Sequence, residues 1–138
     1  MCGIAGFISN NKENKINLKN LGNSFCKILK HRGPDDNGIW IDEEQKNLLA
    51  HTRLSILDLD PRSKQPMIDY DNNLIIVFNG EIYNWRHLRT ELEDEGYKFN
   101  TNSDTEVILK IYEKKGINFI HYLNGMFSIC IYDKKKTL

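Results

Sequence analysis

The sequence predicts an α+β fold, in which strands and amphipathic helices are interspersed along one compact domain with at least one buried sheet. Three observations support this prediction. The apolar run Leu74–Phe78 is typical of a strand that is buried on both faces. Two helical patterns follow it, at Trp85–Glu95 and after the capping box Ser103–Glu106. The length of 138 residues leaves room for a single domain.

The N-terminal half is expected to hold one helix and three short strands. Apolar residues recur at helical spacing from Leu18 to Leu29, which predicts a helix with one apolar face over Leu18–Lys30. Turn-forming residues in His31–Gly38 require the chain to reverse or wander before the next strand. The predicted elements are, in order, a strand at Ile4–Ser9, this helix, strands at Gly38–Asp42 and Asn47–Leu54, and an irregular loop at Leu57–Ile68.

The C-terminal half begins with the strand Leu74–Phe78, which we expect to stop at the turn signal Asn79-Gly80. The helix Trp85–Glu95 has Asn84 as its expected N-cap. The elements expected after it are a short strand at Tyr97–Thr101, a helix from the capping box to Gly116, a short helical piece at Phe119–Leu123 and a strand at Met126–Asp133.

Composition argues against several classes of function. The 19 Lys and Arg residues balance 19 Asp and Glu residues, so nothing draws the chain to nucleic acid or to an anionic membrane. The apolar runs are far shorter than the roughly 18 residues of a membrane span, and no secretory signal is evident. We therefore expect a cytoplasmic protein. Its three cysteines and four histidines lack the spacing of a disulfide framework or a metal site.

Cys2 is the most informative single residue. Once Met1 is removed, Cys2 is the N-terminal residue and carries both a thiol and a free α-amino group. The ordinary pKa of that amino group, roughly 7.7–8.0, is close to neutrality. Such an amine can act as the base for the thiol without a histidine. Taken alone, however, Cys2 is better explained as an incidental or buried cysteine.

Further polar residues complete a site for a free amino acid. Arg53 follows an apolar strand and can close a planar fork on a carboxylate. Asn79 and Gly80 can direct a side-chain and a backbone N–H toward one developing oxyanion. Asp104, in the first turn of a helix, can receive a ligand ammonium. Each feature also has an ordinary explanation: a surface ion pair for Arg53, a turn for Asn79-Gly80 and a helix-dipole contact for Asp104. Only their combination favours a ligand site.

Six ordered segments that span nearly the whole chain resemble the glutaminase domain of class II glutamine amidotransferases. Within that group they resemble the asparagine synthetase branch, chiefly at His31–Asp35 with the following Asn37-Gly38, and at Asn79–Asn84. The six segments are Met1–Gly6, His31–Asp35, Arg53–Ile56, Gln65-Pro66, Phe78–Asn84 and Ser103–Ile108.

The resemblance implies an N-terminal-nucleophile hydrolase fold, a four-layer α/β/β/α sandwich of two antiparallel sheets between helices. It implies that Cys2, freed of Met1, attacks the side-chain amide of glutamine with its own α-amine as base and forms a γ-glutamyl thioester. By the same resemblance, Asn79 and Gly80 hold the oxyanion. The implied substrate-binding roles are carboxylate binding by Arg53, ammonium binding by Asp104 with Glu81, and a lining formed by Leu54, Ile56 and Leu57.

The resemblance also implies chemistry beyond this chain. Such a domain normally continues past Met126–Asp133 into further strands and an ATP-dependent synthetase domain. Residues 1–138 are therefore expected to be one glutamine amidotransferase domain that is incomplete at its C-terminal end. ATP and Mg²⁺ are expected only in the synthetase domain, with no cofactor or metal in this chain. The expected partners are L-glutamine and a synthetase domain or separate chain that uses ammonia to make asparagine; a homodimer is compatible with the sequence.

Two alternatives stay open. Amidotransferases of sugar or surface-polysaccharide metabolism share these N-terminal motifs, and an open sheet edge is compatible with a silent glutamine-binding regulatory module. Among the remaining residues, the histidines, including His51, are expected to be structural or exposed. Cys26 and Cys130 are expected to be inert buried thiols, and Arg32 to brace the loop near Cys2 or to contribute only packing.

Overall fold

The structure, a computed structural model, describes residues 2–9, 16–44, 46–54, 61–69, 71 and 73–136. Within these ranges the chain forms two short 3₁₀ helices besides its strands and α-helices. In chain order the elements are β1 (Gly3–Ile8), α1 (Leu18–Leu29), β2 (Asp36–Ile41), β3 (Asn47–Arg53), a 3₁₀ helix (Pro61–Ser63), β4 (Met67–Ile68), β5 (Leu74–Ile82), α2 (Trp85–Asp94), α3 (Asp104–Lys115), a second 3₁₀ helix (Gly116–Tyr122) and β6 (Gly125–Asp133).

The described strands form two antiparallel sheets. The order is β1-β3-β2 in the first sheet and β4-β5-β6 in the second. Strands β5 and β6 pair over their entire length, from Leu74 opposite Asp133 to Ile82 opposite Gly125. Strand β3 is central in the first sheet and is buried at every residue, because α1 and the second sheet both pack against it.

The layers are stacked in the order α1, first sheet, second sheet, and then α2 with α3. Leu49, Ile75 and Val77 are buried between the sheets, where the rings of Trp40 and Tyr132 contact each other at a centroid distance of 4.8 Å. A larger apolar core joins the outer face of the second sheet to α2 and α3. This arrangement confirms the predicted α/β/β/α sandwich.

Helix α1 packs closely on the first sheet. Its N-cap Asn17 accepts a hydrogen bond from the Asn20 N–H at 3.0 Å, as capping by asparagine predicts. Gly22 weakens an isolated helix by about 1 kcal/mol relative to alanine, but the packing accounts for it. A Cβ at Gly22 would lie 2.9 Å from the side chain of Ile39, so the glycine lets the helix approach the sheet.

Strand β5 is longer than the sequence predicts. The signal Asn79-Gly80 was expected to end it, whereas the strand continues to Ile82. The prediction is wrong because pairing with β6 extends to Ile82, and that partner lies far along the chain. The expected irregular loop Leu57–Ile68 also contains β4 and the 3₁₀ helix Pro61–Ser63, while its residues 57–60 lie outside the described part.

The segment before α3 is organised by one carboxylate. The predicted strand at Tyr97–Thr101 is wrong, because the N–H groups of Asn100 and Thr101 donate to Glu106, at 2.9 and 2.7 Å, and not to a neighbouring strand. The capping of α3 by Ser103 is confirmed, since its Oγ accepts the Glu106 N–H at 3.3 Å.

Asn84 is the N-cap residue of α2, as the sequence predicts, and its backbone carbonyl oxygen accepts the Leu88 N–H at 3.1 Å. The Asn84 side chain makes no capping hydrogen bond. Its amide donates instead to the Tyr122 carbonyl oxygen and accepts the Asn124 N–H, both at 2.9 Å. Asn84 therefore ties the end of β5 to the start of β6.

Candidate active site

The candidate nucleophile lies where β1 starts and β3 ends. Gly3 pairs with Thr52, so Cys2 lies beside the residues that follow β3. The Leu54 N–H donates to Cys2 Sγ at 3.4 Å, and the Leu54 carbonyl oxygen is 3.7 Å from the same sulfur. Arg32 Nε donates to the Cys2 carbonyl oxygen at 3.4 Å, as the predicted bracing requires. The thiol is thus held in place while it remains partly exposed.

A cavity of about 280 Å³ opens beside this thiol. Its wall is built from both sheets and from the start of α3, so it joins residues that are far apart in the sequence. Ile56 and Leu57, which were predicted to line the site, lie outside the described residues. The predicted site residues that line the cavity are Cys2, Arg53, Leu54, Asn79, Gly80, Glu81 and Asp104.

Arg53 brings a buried positive charge to this cavity. It ends β3 opposite Asp36 of β2, and only 8% of its surface is exposed. Burial raises the pKa of Asp36, but the Lys64 ammonium at 3.0 Å, the Asn37 N–H and the Arg53 charge lower it overall. A carboxylate that reaches the Arg53 guanidinium meets a desolvated cation, and such contacts are stronger than those in water.

Asp104 brings a buried negative charge. It is the first residue of α3, 5% exposed, and its Oδ2 accepts the Ile82 N–H at 3.3 Å. Burial raises the pKa of Asp104 and the charge of nearby Glu81 raises it further, although backbone hydrogen bonds oppose the shift. An ammonium group beside Asp104 would stabilise the charged form of its carboxylate.

Strand β5 directs backbone N–H groups toward the cavity. Alternate residues of a strand direct their N–H groups to the same side. The Phe78 N–H donates to Gln65 Oε1 at 2.6 Å and the Ile82 N–H to Asp104 Oδ2 at 3.3 Å, on the side away from β6. By this alternation the Gly80 N–H points between these two bonds, into the cavity that Gly80 lines.

Asn79 supplies a side-chain amide next to this backbone donor. Its Oδ1 is buried and has no hydrogen-bond partner within the part of the chain that the structure describes. Buried side-chain amides are nearly always hydrogen-bonded in proteins. The unused capacity of this amide is therefore that of an acceptor, whereas an oxyanion would need the Nδ2 N–H of Asn79, a residue that lines the cavity.

Comparison with known proteins identifies the family. The model of a glutamine amidotransferase domain matches residues 1–138, the whole chain. The chain belongs to the glutamine amidotransferase domain family. Asparagine synthetase B (glutamine-hydrolyzing) of Escherichia coli is 39% identical over 136 residues, which cover 99% of this domain and 24% of that protein. Asparagine synthetase 2 (glutamine-hydrolyzing) of Bacillus subtilis is 41% identical over 141 residues, with coverages of 99% and 18%.

These relatives confirm the predicted resemblance to the asparagine synthetase branch. The amidotransferase domain spans less than a third of their length. Among solved structures, glutamine phosphoribosylpyrophosphate amidotransferase of B. subtilis superimposes with a TM-score of 0.56 and 26% identity, over 64% of this chain and 21% of that chain. This likeness confirms the N-terminal-nucleophile fold.

The cavity of this amidotransferase domain also includes a histidine, which was not among the predicted site residues. His51 is 1% exposed and lines the cavity, so the expectation of a structural or exposed residue missed its place in the site. Within the described residues neither ring nitrogen has a hydrogen-bond partner of good geometry. Burial lowers the pKa of His51 to about 4, although the backbone of Phe78 opposes the shift. A period-two pattern from Arg53 places His51 on the same face of β3.

Other residues of the domain line the cavity without a sequence signal of their own. Four of them, Gln65, Phe78, Ser103 and Thr105, lie in segments that carry the resemblance, but none of the four has a predicted role in the site. The remaining lining residues are Ser63, Gln65, Phe78, Ser103, Thr105 and Met126.

A second cavity of the domain, of about 630 Å³, lies between β4 and α3. It is larger, but it contains none of the predicted site residues, and its buried carboxylate, Glu106, is already bonded to Asn100 and Thr101. Among the described residues no group of three or more His, Cys, Asp or Glu side chains could hold a metal ion. No helix in the described ranges has the length and apolar character needed to cross a membrane.

Proposed function

We propose that this domain hydrolyses glutamine to glutamate and ammonia, with Cys2 as the nucleophile. One observation supports the proposal above all others: a single cavity is lined by a thiol, a buried guanidinium and a buried carboxylate, from Cys2, Arg53 and Asp104. A free amino acid with a reactive side chain requires these three groups, because its carboxylate and ammonium need opposite charges. The family and the names of the relatives favour glutamine as that amino acid.

In the proposed complex the ends of glutamine are held by charge. Arg53 binds the α-carboxylate, and Asp104 with Glu81 binds the α-ammonium. The side-chain amide then extends toward Cys2, whose sulfur is fixed by Leu54. The lining roles of Ile56 and Leu57 remain predictions.

The reaction proceeds in two halves once Met1 has been removed. The Cys2 α-amine accepts the thiol proton while the sulfur attacks the amide carbon, and the Asn79 amide and Gly80 N–H stabilise the oxyanion. The C–N bond breaks, the proton passes to the leaving nitrogen, and ammonia departs from the γ-glutamyl thioester. Water then attacks the thioester, one of its protons reaches the sulfur through the amine, and glutamate is released.

The proposal extends to the use of the ammonia. The relatives named asparagine synthetases are more than three times as long as this chain, which supports transfer of ammonia to an ATP-dependent synthetase region or partner chain that makes asparagine. ATP and Mg²⁺ would act there, not in this cavity. An acceptor from sugar metabolism is the alternative, and the names of the relatives do not favour it.

The nucleophile is tested by Cys2→Ala, with Cys26→Ala as the matched control because Cys26 is a thiol of α1 that does not line the described cavity. Mass spectrometry first establishes that Met1 is absent. We expect Cys2→Ala to abolish glutamate release, a loss of at least about 10³-fold, and Cys26→Ala to keep it. The measurement is glutamate release from glutamine, together with trapping of the thioester by rapid acid quench.

Two results would contradict the proposal. One is steady glutamate release by Cys2→Ala at the wild-type rate. The other is glutamine binding without turnover by a chain whose Cys2 α-amine is free, which would favour the silent regulatory module.

A further inference from the structure

Strand β5 continues beyond its partner β4, which pairs with it only over Met67–Ile68. Past that point a side chain covers the edge of β5. Gln65 lies two residues before β4, and its Oε1 accepts the Phe78 N–H at 2.6 Å. Gln65 is buried, with 7% of its surface exposed. Its carboxamide therefore replaces the strand partner that β5 lacks at Phe78.

The same carboxamide reaches α3. Gln65 Nε2 donates to Thr105 Oγ1 at 3.3 Å, and Thr105 directly follows Asp104. The Gln65 backbone also packs closely on β2 of the first sheet: a Cβ added at Gly38 would lie only 2.1 Å from the Gln65 carbonyl oxygen. One residue thus contacts the first sheet, the second sheet and α3, which are the three layers that build the cavity.

We propose that Gln65 is a positioning residue of the glutaminase reaction: by holding the Phe78 N–H, it fixes the β5 backbone so that the Gly80 N–H points at the developing oxyanion. This inference rests on the proposed function. Both polar ends of the Gln65 amide are bonded to the protein, so the residue acts through Gly80 and not on the substrate.

The size of the effect follows from the geometry. The N–H groups of Phe78 and Gly80 are directed to the same side of one strand, so a shift at Phe78 moves the donor at Gly80. A misplacement of about 1 Å in a catalytic group can lower a rate by roughly 100-fold. Substrate binding is affected less, because Arg53 and Asp104 are held by β3 and α3.

The test variant is Gln65→Met, which keeps the side-chain length but loses both hydrogen bonds. We expect kcat for glutamine hydrolysis to fall about 10- to 100-fold while the KM changes less than about threefold. Alkylation of Cys2 by iodoacetamide, followed by mass spectrometry, should stay within about twofold of the wild-type rate, because alkylation forms no oxyanion.

Two further variants separate positioning from stability. Thr105→Val removes only the α3 end of the bridge, at a residue that itself lines the cavity, so its fall in kcat should be smaller than that of Gln65→Met, which also loses the bond to β5. Asp69→Ala is the matched control, because it also removes hydrogen bonds to the β5 backbone but at the other end of the strand. There Asp69 accepts the N–H groups of Asn73 and Leu74, at 2.7 and 2.9 Å. It should lower thermal stability and leave kcat unchanged.

If Gln65→Met does not fold, Gln65→Asn takes its place, since it keeps the amide but is one methylene shorter; the expected fall in kcat is then about 10-fold. The proposal is overturned by a wild-type kcat in the variant, by an equal fall in kcat in Asp69→Ala, or by a fall in Cys2 alkylation that equals the fall in kcat. A wild-type domain with a free Cys2 amine and no glutamate release would overturn the proposed function itself, which is a distinguishable result.

Discussion

At the scale of single residues, burial in the cavity favours the neutral forms of one basic and one acidic side chain, His51 and Asp104. It lowers the pKa of His51 to about 4 and raises the pKa of Asp104 above its usual value, because desolvation disfavours the charged form of each. His51 is therefore a neutral polar group at pH 7. A ligand ammonium beside Asp104 would favour the carboxylate form again.

We expect His51 to make the domain less stable as the pH falls. Its folded pKa of about 4 lies below the ordinary value of 6.5, so between these values the unfolded chain binds the proton more readily. The stability is complete above pH 6.5 and is lost toward pH 4. From about pH 7.5 to pH 5, this linkage lowers the free energy of unfolding by about 2 kcal/mol.

Urea unfolding at both pH values measures this effect, with His51→Gln as the variant that cannot titrate. The variant should lose less stability than the wild type, by about 2 kcal/mol. Asp104 titrates in both proteins, so its contribution cancels in the difference. The same pH dependence in both proteins would refute the assignment.

Which site residues can be predicted depends on where their neighbours lie. Cys2, Arg53 and Asp104 stand in short motifs whose chemistry is readable from adjacent residues. Gln65 acquires its place only through tertiary contacts with β5 and α3, and no local pattern gives them. For His51, the alternation with Arg53 gives the face of β3, but its burial in the cavity depends on the second sheet. The sequence therefore predicts the charged groups of the site better than the neutral groups around them.

At the scale of elements, the end of β5 depends on how closely β6 approaches it. A Cβ at Gly80 would lie 2.1 Å from the Met126 carbonyl oxygen, and the backbone φ at Gly80 is +154°. The close pairing explains why the strand passes through Asn79-Gly80, where the local sequence predicts a turn. The same residues are thus a turn signal in isolation and a strand in the folded sheet.

Gly80→Ala tests this close approach, with Gly96→Ala as its control. Gly96 also has a positive φ, of +93°, but no atom lies within 4 Å of a Cβ there. We expect Gly80→Ala to lower the free energy of unfolding by about 3 kcal/mol or more and Gly96→Ala by about 1 kcal/mol. Thermal or urea unfolding checks both values, and equal losses would contradict the role of the β6 contact.

At the scale of the whole molecule, the proposed site is divided between two sheets. Cys2 and Arg53 belong to the first sheet, whereas Asn79 and Gly80 belong to the second. The apolar layer between the sheets therefore sets the distance from the nucleophile to the oxyanion donors. The sequence predicts the elements of this sandwich in nearly the right order, but the pairing of sheets comes from long-range contacts, and only the family resemblance anticipated it.

Alanine variants of two adjacent isoleucines of β5 can distinguish an effect on the spacing of the sheets from an effect on stability alone. Both are 0% exposed, but Ile75 faces the layer between the sheets and Ile76 faces the core with α2 and α3. Ile75→Ala and Ile76→Ala should each lower the free energy of unfolding by about 2–5 kcal/mol, because each leaves a cavity. If the inter-sheet layer positions the site, kcat/KM for glutamine should fall by about 10-fold or more in Ile75→Ala and by less than about threefold in Ile76→Ala. The assay is run below the unfolding transition of both variants. Equal falls in kcat/KM would show that the stability of β5 matters and the spacing of the sheets does not.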